Sequence, residues 1–413
     1  MAKKPNKDLL VGIDIGTSKV VTLVGELTDD GQLSVIGYGS HPSQGLKRGV
    51  VVNIESTVQS IQRSVEDAEL MAGCEIYSAY TGIAGSHIRS INSHGIVAIR
   101  DREVTQSDVE RVIDAAKAIA IPADQRILHV LPQEYIIDNQ DSIREPVGMS
   151  GVRLEAKVHI VTGAVSAAQN IVKCMKRCGL ATSDIVLEQF ASSQSILTED
   201  EKELGICMID IGGGTSDIAI FTDGAIRYTA VIPIAGDQVT NDIAIALRTP
   251  TRNAEEIKIK YGCALQDLVD TNQTIDIASL GGADRAGRRV PRRALAEVVE
   301  ARYEELFTLA LNEIRRSGLE NFLAAGIVLT GGASKIAGAQ ELAERIFRQP
   351  VRIGRPSHVT GFQEITSNPI YATGVGLLVY AMKQRHTQNE VVLNQPSMKS
   401  LWSRMKSWFQ GNF

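Results

Sequence analysis

Three glycine-rich turns, each behind a run of aliphatic and β-branched residues, carry the chemistry this sequence offers first: Asp14-Ile-Gly-Thr-Ser-Lys19, Asp210-Ile-Gly-Gly-Gly-Thr215 and Gly326-Ile-Val-Leu-Thr-Gly-Gly-Ala-Ser-Lys335. Glycine lets backbone amides approach an anion without a Cβ in the way, and Thr or Ser hydroxyls add donors at the same bend, so such turns cradle phosphate. A carboxylate at the turn, Asp14 or Asp210, suits a hydrated Mg2+, which prefers carboxylates together with water. Lys19 adds a mobile positive charge. Any one of these turns reads equally well as a tight bend between strands. Three in one chain, two of them opening with Asp and built alike, point to a nucleotide site. Neither G-x-x-x-x-G-K-[ST] nor G-x-G-x-x-G occurs, so the P-loop and dinucleotide-binding alternatives lack their signatures.

The elements that position these turns repeat. Residues 10–19 and 207–220 follow one plan: an apolar strand, Asp-Ile-Gly, small hydroxyl residues, then a second apolar strand. That plan predicts two strand–turn–strand units and an internal duplication into two α/β lobes. Apolar residues recurring three and four apart predict helices over 55–72, 107–119, 164–178, 294–317 and 339–347. Between 85 and 162 a strand (96–99), a helix (104–120) and strands near 127–137 and 152–161 make a small domain inserted in the first lobe. Beyond 383 the composition turns polar, and 384–397 reads as a flexible linker.

Both tryptophans of the chain lie in 398–413. There Leu401, Trp402, Met405, Trp408 and Phe409 step by three and four, giving an apolar arc of roughly 120°, flanked by Lys399, Arg404 and Lys406. This is the pattern of a helix lying in a membrane interface, its basic side chains reaching anionic headgroups; a helix docked on its own protein is the bland reading. Arg285, Arg288, Arg289, Arg292 and Arg293 crowd around Pro291. They are either a solvated face or guanidinium forks for an acidic peptide. A net charge of −5 argues against bulk nucleic-acid binding. Five scattered cysteines and seven unclustered histidines offer neither a disulfide framework nor a zinc site. No stretch approaches the roughly 20 apolar residues of a spanning helix, and the acids at 8 and 14 interrupt any secretory signal.

The three turns, with the small-residue segment Ala372-Thr-Gly-Val-Gly-Leu377, resemble the actin, Hsp70 and sugar-kinase superfamily. The resemblance implies an α/β, ribonuclease H-like pair of duplicated lobes around a nucleotide cleft. It further implies that Gly16, Thr17, Ser18 and Lys19 face the β- and γ-phosphates, with Gly212, Gly213, Gly214 and Thr215 opposite. Gly236, Asp237, Glu255, Lys258, Gly331, Gly332 and Ser334 would frame ribose and adenine. Taken alone, Glu255 and Lys258 are an ordinary helix-face pair. In relatives a Glu or Gln ahead of the second phosphate turn positions the attacking water; Glu188 occupies that place, or has no role at all.

Within the superfamily, the approach Leu197-Thr-Glu-Asp-Glu201 to the second turn, residues 326–336, the insert and the terminal segment are similar to the FtsA family of bacterial division proteins. The likeness implies subdomain 1A in 1–84, 163–190 and 359–383, subdomain 1C in 85–162, subdomain 2A in 191–245 and 301–358, and subdomain 2B in 246–300. It also implies ATP and Mg2+ with slow turnover, head-to-tail self-assembly, the C-terminal peptide of the tubulin-like FtsZ as a ligand of 2B, and later division proteins recruited through 1C. The implied location is the cytoplasmic side of the inner membrane at the septum. A small-molecule kinase, a PilM-like pilus scaffold and an Hsp70-like chaperone are the alternatives. The first lacks an obvious cleft base, the second has no reason for the terminal helix, and the third needs a longer chain.

Overall fold

The computed structural model of this chain describes residues 9–28, 30–277 and 288–394. Two lobes each open with a hairpin, as the repeat predicts. In the first, Leu9–Ile15 pairs antiparallel with Lys19–Leu27, which pairs with Leu33–Pro42. Ser78–Ile83 and then Ala181–Leu187 add in parallel on the other side, and Val359–Gly361 closes the far edge. In the second, Ile206–Ile211 pairs antiparallel with Ser216–Thr222, which pairs with Ala225–Ile232. Ile327–Thr330 and Val351–Ile353 add in parallel. Strand order and direction therefore match over five strands of each sheet, which is what duplication of one ancestral lobe requires.

Both hairpins turn through four residues, Gly16–Lys19 between paired Ile15 and Val20 and Gly212–Thr215 between paired Ile211 and Ser216. Their strands are buried on both faces, hence continuous aliphatic runs rather than alternation. Helix Ile54–Ala72 opens on Asn53, whose side chain accepts from the Ser56 amide, and ends at Gly73 in the left-handed conformation.

The insert is a four-stranded antiparallel sheet in the order Arg89–Ala98, Arg153–Ala164, Gln125–Ile137, Gln140–Ile143, covered by helix Gln106–Lys117. Its first strand starts seven residues before the expected 96, because the polar Arg89–Gly95 stretch is held by pairing to Arg153–Ala164 rather than by an apolar pattern. The helix starts later than 104, since Thr105 and Asp108 form a reciprocal cap. Strand Gln140–Ile143, with three of its four residues exposed, carried no apolar signal.

Two expected boundaries are corrected. Residues read as linker from 384 are helical through Asn394, within the helix Ala372–Asn394. Gln, Arg and Glu are good helix formers, and the stretch has no Gly or Pro, so polarity alone was a poor guide. The proposed division between 2B and 2A at 300 falls inside one helix, Arg292–Ser317. Leu295 and Val299 before that point share a core with Tyr303 and Phe307 after it, so the two regions fold around common packing. The segment 398–413 and the remaining residues 395–397 lie outside the described residues.

Candidate functional site

The two hairpin turns face each other across a cleft. A Cβ on Gly213 would stand 1.9 Å from the Ser18 Oγ, and one on Gly214 2.6 Å from the Thr17 Oγ1, so the lobes approach this closely only because both positions are glycine. Ser18 also donates across the cleft to Asp237 at 3.3 Å, and Thr17 accepts from the Gly49 amide at 2.9 Å. Behind the turns, helices Glu188–Ile196 and Ala372–Asn394 cross with Gly376 against the Ala191 carbonyl, where a Cβ would intrude to 1.9 Å. This crossing is where the small-residue segment joins the lobes.

Between the turns lies a cavity of about 660 Å³, the size of a small-molecule cofactor site. One end is lined by Asp14, Gly16 to Lys19, Glu188, Asp210 and Gly212 to Thr215; the other by Gly236, Glu255, Lys258, Tyr303, Gly331 and Gly332. Lys258 Nζ donates to the Gly236 carbonyl at 3.0 Å and to Thr240 Oγ1 at 2.8 Å, and pairs with Glu255 at 2.7 Å. The Glu255–Lys258 pair is therefore built into the cavity wall and is no solvated helix face. Ser334 is buried beneath its turn, its Oγ donating to the Gly331 carbonyl at 2.7 Å. Asp237 and Ser334 frame the loops without lining the cavity.

The end of the cavity between the two hairpin turns is acidic and buried. Asp210 accepts from Ser192 Oγ at 2.6 Å and Thr373 Oγ1 at 3.3 Å, one from each crossing helix. Asp217 stands directly opposite Asp210 in the hairpin register, so two carboxylates share one face. Burial, with Asp210 next, pushes Asp217 up to about 8. Burial raises Asp14 to about 7, opposed by Lys19, and raises Asp210 and Glu188 as well; Asp14, Asp217 and Asp210 add to the rise at Glu188. Lys19, its ammonium 5.1 Å from the Tyr371 ring centre, is drawn down to about 8 by the same burial. Asp217 Oδ1 is buried with no hydrogen-bond partner.

Such a cluster fits a divalent cation. Four carboxylates that burial drives toward neutrality would recover their charge beside one, and one buried carboxylate oxygen among them has no hydrogen-bond partner. Among the described residues no three acidic, His or Cys side chains converge as direct ligands. An ion here would hold mostly water and ligand oxygens, as Mg2+ does. Asp217, Lys335, Ser192 and Thr373 were not singled out from sequence; the position of Asp217 is Val21 in the first copy, so the repeat gave no signal for it.

Of the described arginines, Arg288, Arg289 and Arg293 are exposed and Arg292 is half-buried. Arg285 lies outside the described residues. Arg288 donates to the Leu247 carbonyl, Arg289 reaches Asp276 at 3.3 Å, and Arg292 donates to the Tyr261 carbonyl at 2.8 Å while lining the nucleotide-sized cavity. Arg293 is exposed. The terminal residues Lys399, Leu401, Trp402, Arg404, Met405, Lys406, Trp408 and Phe409 all lie outside the described residues. Among those described, no helix is long and apolar enough to cross a membrane.

Comparison with known proteins agrees with this geometry. In fold, the chain matches the PilM–PilN type IV pilus biogenesis complex at a TM-score of 0.66 and 15% identity, covering 92% of this chain and 99% of that one. It matches MreB5 of Spiroplasma citri bound to ADP at 0.58 and 14%, covering 94% and 100%. At those identities the likeness establishes the actin-like fold alone. The family profile described as cell division protein FtsA matches residues 207–376, and that of the SHS2 domain inserted in FtsA matches 85–162. A protein of Pseudomonas aeruginosa described as cell division protein FtsA is 64% identical over the whole of both chains, and its Escherichia coli counterpart is 47% identical, also over the whole of both. With two hairpin turns closing on an acidic cavity, an inserted four-stranded domain and full-length similarity of this degree, the chain belongs to the FtsA family of actin-like cell division proteins.

Proposed function

We propose that this chain binds Mg2+·ATP between its lobes and uses it as a conformational ligand. In this reading it self-assembles and tethers the FtsZ ring to the cytoplasmic face of the inner membrane, recruiting later division proteins through 85–162. The observation that carries the nucleotide reading is the cavity, with amides and hydroxyls of paired glycine turns at one end and the Tyr303, Glu255 and Lys258 wall at the other. MreB5, of the same fold, has been solved with ADP. Asp14 and Asp210, joined by Asp217, would hold the ion through water. The ion would supply a positive charge to the phosphates and restore the charge of the acids around it.

Hydrolysis in this site is slow because the candidate base is protonated. Glu188 is the group to take the proton from a water attacking the γ-phosphorus as the bond to ADP breaks, yet its surroundings hold its own proton in place. A bound ion would offset this burial only in part, so that Glu188 would serve as a base in a minor fraction of the loaded molecules. Glu188 at the cleft and a small-molecule kinase's base are distinguished by substrate: no sugar hydroxyl is needed here.

The anchor reading rests on the sequence of 398–413. One such helix binds a bilayer weakly, because ordering it offsets most of the apolar gain. Many copies joined in a polymer bind by avidity, so assembly governs membrane residence. Arg288, Arg289 and Arg293, the exposed members of the cluster among the described residues, are the side chains offered to an acidic peptide. The test is co-pelleting of the full chain and of residues 1–397 with anionic liposomes, with and without ATP and the FtsZ peptide. Membrane binding that survives the truncation refutes the anchor; calorimetry showing no Mg2+-dependent ATP binding refutes the nucleotide reading.

A further inference from the structure

His129 belongs to the insert, on the strand Gln125–Ile137, yet its ring lies buried against Leu187, Phe190 and Tyr380 of the first lobe. Its Nε2 accepts a hydrogen bond from the Leu187 amide at 3.0 Å. That assigns the ring's proton to Nδ1 and makes the imidazole a neutral acceptor, and burial, which pulls its pKa down to about 4, keeps it so at physiological pH. Leu187 is the residue immediately before Glu188, and the helix Glu188–Ile196 begins there without any side-chain cap. The backbone one residue before the cleft carboxylate is therefore held by a side chain from the insert.

The ring is also wedged. Its centre is 5.6 Å from that of Phe190 and 6.3 Å from that of Tyr380, and those two rings are 6.1 Å apart. Tyr380 donates to Asp184 at 2.9 Å and sits on the helix whose Thr373 donates to Asp210. On the cleft side the Glu188 chain lies over Gly82, where a Cβ would come within 2.9 Å of its Cγ. Glu188 thus lies over a strand of the first lobe, and the residue before it is tied by its amide to the imidazole of the insert.

We infer that His129 is a positioning residue for Glu188, through which the inserted domain sets the placement of the cleft carboxylate and so makes nucleotide turnover sensitive to what the insert contacts. The inference rests on the ATP reading above and concerns turnover, not affinity.

The test uses the full chain and the variants His129→Phe, His129→Gln, Glu188→Gln and the double variant H129F/E188Q. Mg2+·ATP affinity is read by calorimetry and phosphate release in single turnover. Phe keeps the ring packing and removes the acceptor; Gln places its Oε1 where Nε2 stood. His129→Phe should leave affinity within about twofold and slow release about tenfold, because misplacement of a reacting group costs rate and not binding. His129→Gln should recover most of that loss, and in the Glu188→Gln background His129→Phe should add nothing. Should His129→Phe fail to fold, His129→Asn, whose shorter amide withdraws the acceptor, is read in its place. Parallel losses of affinity and rate, absence of rescue by Gln, or losses that multiply in the double variant overturn the inference. A wild-type chain that binds ATP and releases no phosphate overturns it while sparing the nucleotide reading; one that binds no ATP overturns both.

Discussion

Replacing Asp217 by Asn should make the empty protein more stable at neutral pH and less stable in acid. The unfolded chain ionises this carboxyl near its ordinary value of 3.8, whereas the folded cleft holds its proton up to about 8. Below the first value both states are protonated and the site imposes no penalty. Between the two the folded state binds the extra proton, so each unit of rising pH costs the fold about 1.4 kcal/mol at this one group. Above the second value the penalty is complete. Asn has no such slope, so between about pH 5 and about pH 7 the variant should gain about 2.7 kcal/mol on the wild type. A pH-independent offset opposes this. The amide nitrogen, placed where Oδ1 is buried without a partner, becomes an unpaired donor costing roughly 1–3 kcal/mol. From 3.8 to about 7 the slope sums to about 4.4 kcal/mol, more than this offset, so the stability curves should cross on the way to neutrality. Urea unfolding of both proteins across this range, without Mg2+ or nucleotide, measures the difference. A gap that stays constant with pH refutes the picture of Asp217 as a proton-holding acid, and with it the need for a cation. Adding Mg2+ and ATP should flatten the wild-type slope.

Two other outcomes follow from the geometry. Gly213→Ala places a methyl group 1.9 Å from Ser18 Oγ, so the cleft cannot close as found; ATP affinity should fall about tenfold, near 1.4 kcal/mol, with the melting temperature little changed. Calorimetry alongside a thermal melt checks both halves. Arg289→Ala removes only an exposed contact with Asp276 and should shift stability by under about 0.5 kcal/mol, while Arg288→Glu loses the bond to the Leu247 carbonyl at a helix end and should cost about 1 kcal/mol. Fluorescence anisotropy with an acidic peptide then reads recognition cleanly at Arg289, where weakened binding without loss of stability is expected.

Both hairpins, their four-residue turns and the duplication were legible in the sequence, because strand pairing across a tight turn is decided by residues within a dozen positions of one another. The helix 339–347 was read to its ends for the same reason: its apolar spacing and flanking Gly338 are local. The partners of Asp210 were not legible. Ser192 lies 18 residues before it and Thr373 163 after it, and they meet only because two helices cross at Gly376. The same holds for Arg292, which belongs by sequence to a basic run and in space to the cavity wall, and for His129, whose neighbours come from the insert and the first lobe. Composition misled at 384–394, where polar residues extend a helix that begins in the core. Periodicity and turn chemistry are properties of short segments and can be read from them; burial of carboxylates against one another, and hence their protonation, depends on which surfaces the lobes press together, and only the packed chain decides that.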